Sequence, residues 1–193
     1  MTREESTTLL REARLGSREA LGELYARYGT RLLAFIRVRM GRDLRARVES
    51  RDILQATLLK SFQRLSQFEG GDGATLMGWL IRIAENEIHD QVDYQHRQRR
   101  DVLAAVPIDA GGVDIAARVR SALTAAIVNE EAERLGAALE ALDADHREVI
   151  VLRKLEELSF KEVAARMGRS EDACRMLLAR AMVALTLQLR AAP

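Results

Sequence analysis

Three arginines in the last quarter of the chain are placed where they could bind DNA. Guanidinium groups bind backbone phosphates and can form paired hydrogen bonds with guanine. Arg175 flanks the apolar stripe of a predicted helix, Arg180 lies nearly opposite that stripe, and Arg169 precedes the helix in a turn. Residues 146–193 carry nine Lys or Arg against six Asp or Glu. This excess of positive charge suits phosphate contact and indicates a candidate nucleic-acid surface.

The elements that would position these arginines follow from local capping signals. Ser159 and Glu162 have the spacing of a capping box, and Gly168 stands where a left-handed residue would end the same helix. Ser170 can cap the next helix, which has acids in its first turn. The second helix has one continuous apolar stripe of Cys174, Leu178, Ala181, Leu185 and Leu189. A short helix, a turn and a longer helix predict a helix-turn-helix.

The same pattern has a second interpretation. Many small α-helical proteins contain a helical hairpin that only packs and touches no DNA. The spacing alone favours neither interpretation, and the exposed arginines are what support DNA contact. The stripe also indicates that Cys174 is a small core residue and not a metal ligand or redox switch.

Composition limits the class of protein. The 193 residues are 48% hydrophobic and 31% charged, which suits one or two small domains with packed cores. No apolar run approaches the roughly 18 residues that a membrane span needs, and the first residues have no secretory apolar segment. A single cysteine excludes an internal disulfide and a Cys-rich zinc site. We therefore expect a cytoplasmic protein with no cofactor, no metal and no membrane insertion.

The order of helix signals predicts an all-α fold of two small helical domains joined by a linker. Strand signals are nearly absent, and apolar helical series fill the chain up to the glycine-rich loop at residues 69–73. A long helix follows over residues 75–101, and Pro107 with two glycines marks a linker. Helices resume at residues 129–142, while residues 114–128 are Ala-rich and could also be helical. The segment that connects the two basic modules is acidic, because residues 103–145 carry three basic and eight acidic side chains.

Four sequence blocks, in this order, resemble an RNA polymerase sigma factor of the sigma-70 family, in its two-domain extracytoplasmic-function (ECF) group. They are REALGELYARYGTRLLAFIR from Arg18, DILQATLLKSFQRLSQFEGG from Asp52, GWLIRIAENEIHDQVDYQHRQRRD from Gly78 and HREVIVLRKLEELSFKEVAARMGRS from His146. The first three are similar to the family's region 2 and the last to its region 4. The resemblance implies region 2 in residues 1–102, a linker in 103–128 and region 4 in 129–193.

The resemblance implies that region 4 reads the promoter −35 element through its second helix. The residues expected at that surface are Arg169, Ser170, Glu171, Arg175, Met176, Ala179 and Arg180. The family often has polar or basic residues where Met176 and Leu177 stand here, so either the base preference differs or an apolar surface meets a partner protein.

The resemblance also implies that region 2 opens the −10 element and holds a flipped base in a loop. A glycine-rich loop lets backbone approach a nucleotide closely, although a flexible connector explains the same glycines. The helix after the loop ends in a basic run that could contact DNA or could be a solvated helix end. The residues expected to contact this DNA are Phe68, Glu69, Gly70, Gly71, Asp72, Tyr94, His96, Arg97, Arg99 and Arg100.

A third implied surface docks on core RNA polymerase. Glu49, Asp52, Ile53 and Gln55 match the family's acidic docking run in kind, but Arg51 and Ala56 stand where acids are common. Some relatives with a weakened acidic run gain negative charge by phosphorylation, which makes Ser50 and Thr57 candidate regulatory sites. Residues 31–51 are also unusually rich in arginine.

Three functions remain open at this point. The first is a promoter-specificity subunit with no catalysis of its own, whose partners are core RNA polymerase (β′ clamp helices and β flap), promoter DNA and an anti-sigma factor. The second is a stand-alone helix-turn-helix regulator, which would leave residues 18–101 without a role. The third is a sigma-like decoy that binds an anti-sigma factor. An enzyme finds little support, because no nucleotide fingerprint or framed nucleophile occurs in the sequence.

Overall fold

The computed structural model describes residues 3–68, 75–100 and 130–191. Every regular element in these ranges is helical, so the all-α prediction is confirmed there. The predicted linker and the whole glycine-rich loop at residues 69–73 lie outside the described residues. The helices are α1 (Arg3–Arg14), α2 (Arg18–Arg45), α3 (Ser50–Gln63), α4 (Leu76–Arg100), α5 (Glu130–Glu140), α6 (Ala144–Ile150), α7 (Phe160–Met167) and α8 (Glu171–Ala191).

The first module consists of α1 to α4. Ser17 caps α2, because its hydroxyl oxygen accepts a hydrogen bond from the Ala20 amide at 3.2 Å. Two apolar series of the sequence merge into this single long helix, since no residue between Tyr28 and Leu32 interrupts it. Gly41 has φ of 66° and kinks the helix. The short charged helix α1, which the sequence did not predict, packs on α2 through Ala13.

The second module consists of α5 to α8. Asp143 caps α6 by accepting a hydrogen bond from the His146 amide at 2.9 Å. A π-helical turn at Val151–Leu155 follows α6, and the backbone then reverses through Glu157, which has φ of 61°. After the reversal, α8 packs against α5 and α6, and α7 packs on α8 and on the π-helical turn.

The two modules pack against each other. Helix α2 lies against α5, and one cluster of buried apolar side chains runs through both modules. Leu32, Phe35 and Ile36 belong to it from α2, and Leu139 and Leu152 belong to it from the second module; all five are fully buried. The described residues therefore share a continuous core, which the sequence did not predict.

Candidate nucleic-acid interface

The helix-turn-helix forms as the capping signals predict. The Glu162 amide donates to the Ser159 hydroxyl oxygen at 3.3 Å, and the Ser159 amide donates to the Glu162 carboxylate at 2.7 Å. Gly168 ends α7 in the left-handed conformation with φ of 63°. Ser170 accepts a hydrogen bond from the Ala173 amide at 3.2 Å and so caps α8. The predicted short helix, turn and long helix are confirmed.

Helix α8 buries the predicted apolar stripe and exposes the opposite face. Cys174, Leu178, Ala181 and Leu185 are buried, and Leu189 is half-buried against the core. Cys174 is fully buried, in agreement with its predicted place in the core. The residues predicted to read DNA from this helix are all solvent-exposed: Glu171, Arg175, Met176, Ala179 and Arg180.

Arg175 is held by three neighbours at the start of α8. Its guanidinium lies 4.4 Å from the centre of the Phe160 ring. Its Nη2 is 3.1 Å from the Glu171 carboxylate, and its Nε is 3.6 Å from that of Asp172. A second guanidinium, that of Arg153, lies 5.0 Å from the centre of the same ring. The aromatic ring restricts the directions in which Arg175 can point, and the sequence analysis did not identify it.

The remaining candidates of the helix-turn-helix lie in the turn. Ser170 is exposed, and its hydroxyl already serves as a helix cap. Arg169 forms an ion pair with Asp145, and this contact links the turn between α7 and α8 to α6. Arg169 and Arg175 are therefore positioned by ion pairs, and both side chains remain about half exposed.

The first module carries the second set of candidates. Phe68 is buried, with its ring centre 5.1 Å from that of Trp79 and the guanidinium of Arg14 at 5.9 Å. At the far end of α4, Tyr94, His96 and Arg97 are exposed. Arg99 and Arg100 belong to the helix, but their side chains lie outside the description, as do Glu69, Gly70, Gly71 and Asp72.

A cleft of about 860 Å³ opens beside Phe68, between the two modules. Both modules line it, Trp79 and Arg82 from the first, Arg153 and Arg166 from the second. Its lining includes Phe68, which directly precedes the glycine-rich loop, and Ser159 and Glu162, which lie on either side of Phe160 in the sequence.

The candidate polymerase-docking residues lie at the start of α3. Glu49 and Asp52 are exposed, Gln55 is half-buried, and Ile53 is buried in the core. Of the two candidate phosphorylation sites, Ser50 is 8% exposed and Thr57 is fully buried. The Thr57 hydroxyl donates to the Ile53 carbonyl at 2.7 Å, so a kinase could reach it only if α3 moved.

One buried carboxylate near the cleft escaped the sequence analysis. Glu156 is 6% exposed and binds Arg39 of α2 at 2.8 Å and Arg166 of α7 at 2.9 Å. Its neighbour Glu157 is partly exposed and forms an ion pair with Arg31 at 3.0 Å. No local signal distinguishes the two glutamates, because the burial of Glu156 depends on an arginine 117 positions away in sequence.

Within residues 3–68, 75–100 and 130–191, no group of His, Cys, Asp and Glu is arranged to hold a metal ion. No helix in the same ranges is both long and apolar enough to cross a bilayer.

Comparison with known proteins identifies both modules. Residues 24–98 match the family model for sigma-70 region 2, and residues 132–185 match that for sigma-70 region 4. The chain is 31% identical over 166 residues to the RNA polymerase sigma factor CarQ of Myxococcus xanthus, covering 83% of this chain and 84% of CarQ. It is 28% identical over 174 residues to the ECF RNA polymerase sigma factor BldN of Streptomyces coelicolor, covering 90% of this chain and 62% of BldN. Among solved structures, CnrH in complex with the cytosolic domain of CnrY aligns with a TM-score of 0.46 and 25% identity, over 98% of this chain and 99% of CnrH. The chain therefore belongs to the sigma-70 family of RNA polymerase sigma factors, in its ECF group.

Proposed function

We propose that this chain is an alternative sigma factor that binds core RNA polymerase, recognises a promoter and helps to open it. Residues 1–102 act as region 2, residues 103–128 as the linker and residues 129–193 as region 4. The observation that carries the proposal is the joint presence of two family-matched modules with a capped helix-turn-helix whose reading helix exposes arginines. The chain has no catalytic role in this account.

Region 4 reads the −35 element with the exposed face of α8. Arg175 supplies the sequence preference, because a guanidinium can donate two hydrogen bonds to one guanine. Arg169 and Arg180 contact phosphates and fix the register of the helix on the duplex. Met176 and Ala179 offer apolar contact, which suits a thymine methyl group better than a phosphate.

Region 2 binds the −10 element through the loop and the end of α4. Glu69, Gly70, Gly71 and Asp72 contact the flipped base, while Arg97, Arg99 and Arg100 hold the strand by its phosphates. Tyr94 and His96 stack or hydrogen-bond on exposed bases. Phe68 anchors the loop on Trp79, and its ring contacts a base only if that pair separates.

Polymerase docking uses Glu49, Asp52, Ile53 and Gln55 on the β′ clamp helices, and region 4 docks on the β flap. Glu49 and Asp52 supply charge, whereas the buried Ile53 acts by holding α3 in place. Phosphorylation of Ser50, or of Thr57 after a movement of α3, would add charge to the same surface, and an anti-sigma factor would compete for it.

The test is transcription in vitro with purified core polymerase and a library of genomic DNA fragments. The proposal expects transcripts that start at a small set of shared promoter sequences only when this chain is added. The Arg175→Ala variant should lower the yield and relax the preference at one −35 position. A stand-alone regulator would bind duplex DNA without polymerase, and a decoy would give no promoter-selective transcript, so either result would overturn the proposal.

A further inference from the structure

The arginines of the run at residues 31–51 have no role in the function proposed above. The run contains seven arginines against two acids, a density that promoter and polymerase contacts do not explain. Four of these arginines reach the second module, and each binds a glutamate there. The pairs are Arg31 with Glu157, Arg39 with Glu148 and Glu156, Arg45 with Glu140, and Arg51 with Glu133.

The central contact of this set is partly buried, and its Glu156 carboxylate is almost fully buried. Arg39 binds both oxygens of Glu148, at 3.0 and 3.1 Å, and one oxygen of Glu156 at 2.8 Å. Burial alone would lower the pKa of Arg39, but the hydrogen bonds to Glu156 and Glu148 outweigh it and raise that pKa. Its guanidinium therefore stays charged, as a two-carboxylate contact requires.

The contact between Arg45 and Glu140 is also bidentate. Both guanidinium nitrogens of Arg45 meet the carboxylate, with Nη2 at 2.7 Å from Oε2. The two side chains are only 16% and 23% exposed, so water and salt screen this pair less than a surface pair. Burial, together with repulsion from Arg37 and Arg42, lowers the pKa of Arg45, which shows how crowded with positive charge the run is.

A glycine of α5 makes room for an arginine side chain of α2. A Cβ added at Gly136 of α5 would lie 2.8 Å from the Cδ of Arg37. The arginine stem can therefore lie directly over the backbone of α5. This steric fit accompanies the continuous apolar core between α2 and the second module.

The last pair reaches the candidate polymerase-docking surface. Arg51 stands within that run, at a position where the family commonly has an acid, and its Nη2 is 2.6 Å from Glu133 of α5. Glu49, Ser50, Arg51 and Glu133 line one cleft of about 460 Å³. The second module thus occupies the edge of the surface that polymerase would need.

We propose that the arginine-rich run is a docking surface for the second module of the same chain, which closes the protein and covers one edge of the polymerase-docking run until polymerase displaces it. Arg51 then departs from the family pattern because it serves the closed state. The 29 residues at 101–129 provide enough chain for opening, because an extended segment of that length reaches about 95 Å.

Energy transfer between two dyes tests the closed state without any other protein. Cysteines introduced at Gln63 and Lys161, both exposed and on different modules, carry the dyes, while the buried native Cys174 is protected from labelling. Glu133→Arg together with Glu140→Arg places like charges opposite Arg51 and Arg45. Losing two such pairs should shift the closed-to-open ratio by about 5- to 30-fold toward open and reduce energy transfer.

Two matched variants distinguish loss of these ion pairs from loss of folding as the reason for reduced energy transfer. Adding Arg45→Glu and Arg51→Glu to the opened variant reverses both pairs and should restore wild-type energy transfer. Glu23→Arg with Asp43→Arg makes the same change in net charge at two exposed acids that form no ion pair between modules in the described residues. This control should leave energy transfer at the wild-type value. Equal energy transfer in the wild-type and opened proteins, or opening by the control as well, would overturn the proposal.

A second readout rests on the proposed function. The opened variant keeps Glu49, Asp52, Ile53 and Gln55 intact, so it should bind core polymerase more tightly than the wild type. If energy transfer shows that the variant is open but it binds core polymerase no more tightly than the wild type, the second module does not cover the polymerase-docking run. If neither the wild type nor any variant binds core polymerase, the proposed function is refuted. The dye measurement then still tests whether the two modules of the free chain are closed.

Discussion

Replacing Glu156 by glutamine should destabilise the protein more than any other single removal of a charge at the surface between the modules. The substitution keeps the size of the side chain and removes its negative charge. Arg39 and Arg166 would then each lose a charged acceptor, at 2.8 and 2.9 Å respectively, around a carboxylate that is only 6% exposed.

The magnitude follows from the two arms of the contact. Arg39 keeps Glu148, so its arm should lose about 1.5–3 kcal/mol, the range for one hydrogen bond to a charged group. Arg166 has a side chain that is 55% exposed, and solvent screening reduces its arm to about 0.5–1 kcal/mol. Together the loss is about 2–4 kcal/mol, which lowers Tm by roughly 5–15 °C in a chain of this size.

Thermal and urea unfolding followed by circular dichroism measure the effect. Glu157→Gln is the matched control, because the neighbouring glutamate makes one half-exposed pair with Arg31 and should cost less than about 1 kcal/mol. The continuous core predicts that both modules unfold in one transition. If Glu156→Gln changed stability no more than Glu157→Gln does, the bridging role of this carboxylate would be wrong.

Three further outcomes are expected. Phe160→Leu should lower discrimination at the −35 position read by Arg175 by about 2- to 5-fold in a competition gel shift, the value of one exposed cation–π contact, whereas Phe160→Tyr should keep it; equal discrimination in both variants would show that the ring does not orient the arginine. Ser159→Ala should cost about 0.5–2 kcal/mol at neutral pH in urea titrations. The hydrogen bonds from Ser159 lower the pKa of Glu162 below its ordinary value of 4.5. The part of the Ser159 contribution that comes from the bond of its hydroxyl to the carboxylate is therefore present above pH 4.5 and is lost as the pH falls through the depressed value, while the bond from the Glu162 amide remains; a stability difference independent of pH would contradict the argument. Burial raises the pKa of Tyr25 to about 12, although its bond to Ser61 opposes the shift, so the contribution of Tyr25 to stability should be constant below pH 10 and fall between pH 10 and 12, and Tyr25→Phe should remove that fall.

Local signals explain how much of the fold the sequence predicts. The helix-turn-helix is defined by a capping box at Ser159 and a left-handed glycine at Gly168, and both act within a few residues of themselves. The apolar stripe of α8 likewise follows from spacing alone. Gly41 marks a kink for the same reason, since its positive φ is a property of one residue.

The rest depends on contacts distant in sequence. The pairing of Arg39 with Glu148 joins residues 109 positions apart, and nothing near either residue indicates a partner. Phe160 has the pattern of an ordinary apolar residue at a helix start, and its ring is meaningful only once α8 folds back to bring Arg175 over it. Helix α1 is strongly charged, and only its packing on α2 through Ala13 explains its place in the fold.

The most direct test of the central claim is a binding titration of the fluorescently labelled chain with purified core RNA polymerase, followed by transcription from a promoter selected in the library experiment. The account predicts saturable binding at equal stoichiometry and initiation that depends on both the chain and the promoter. A chain that is folded by circular dichroism yet shows no saturable binding to core polymerase would contradict it.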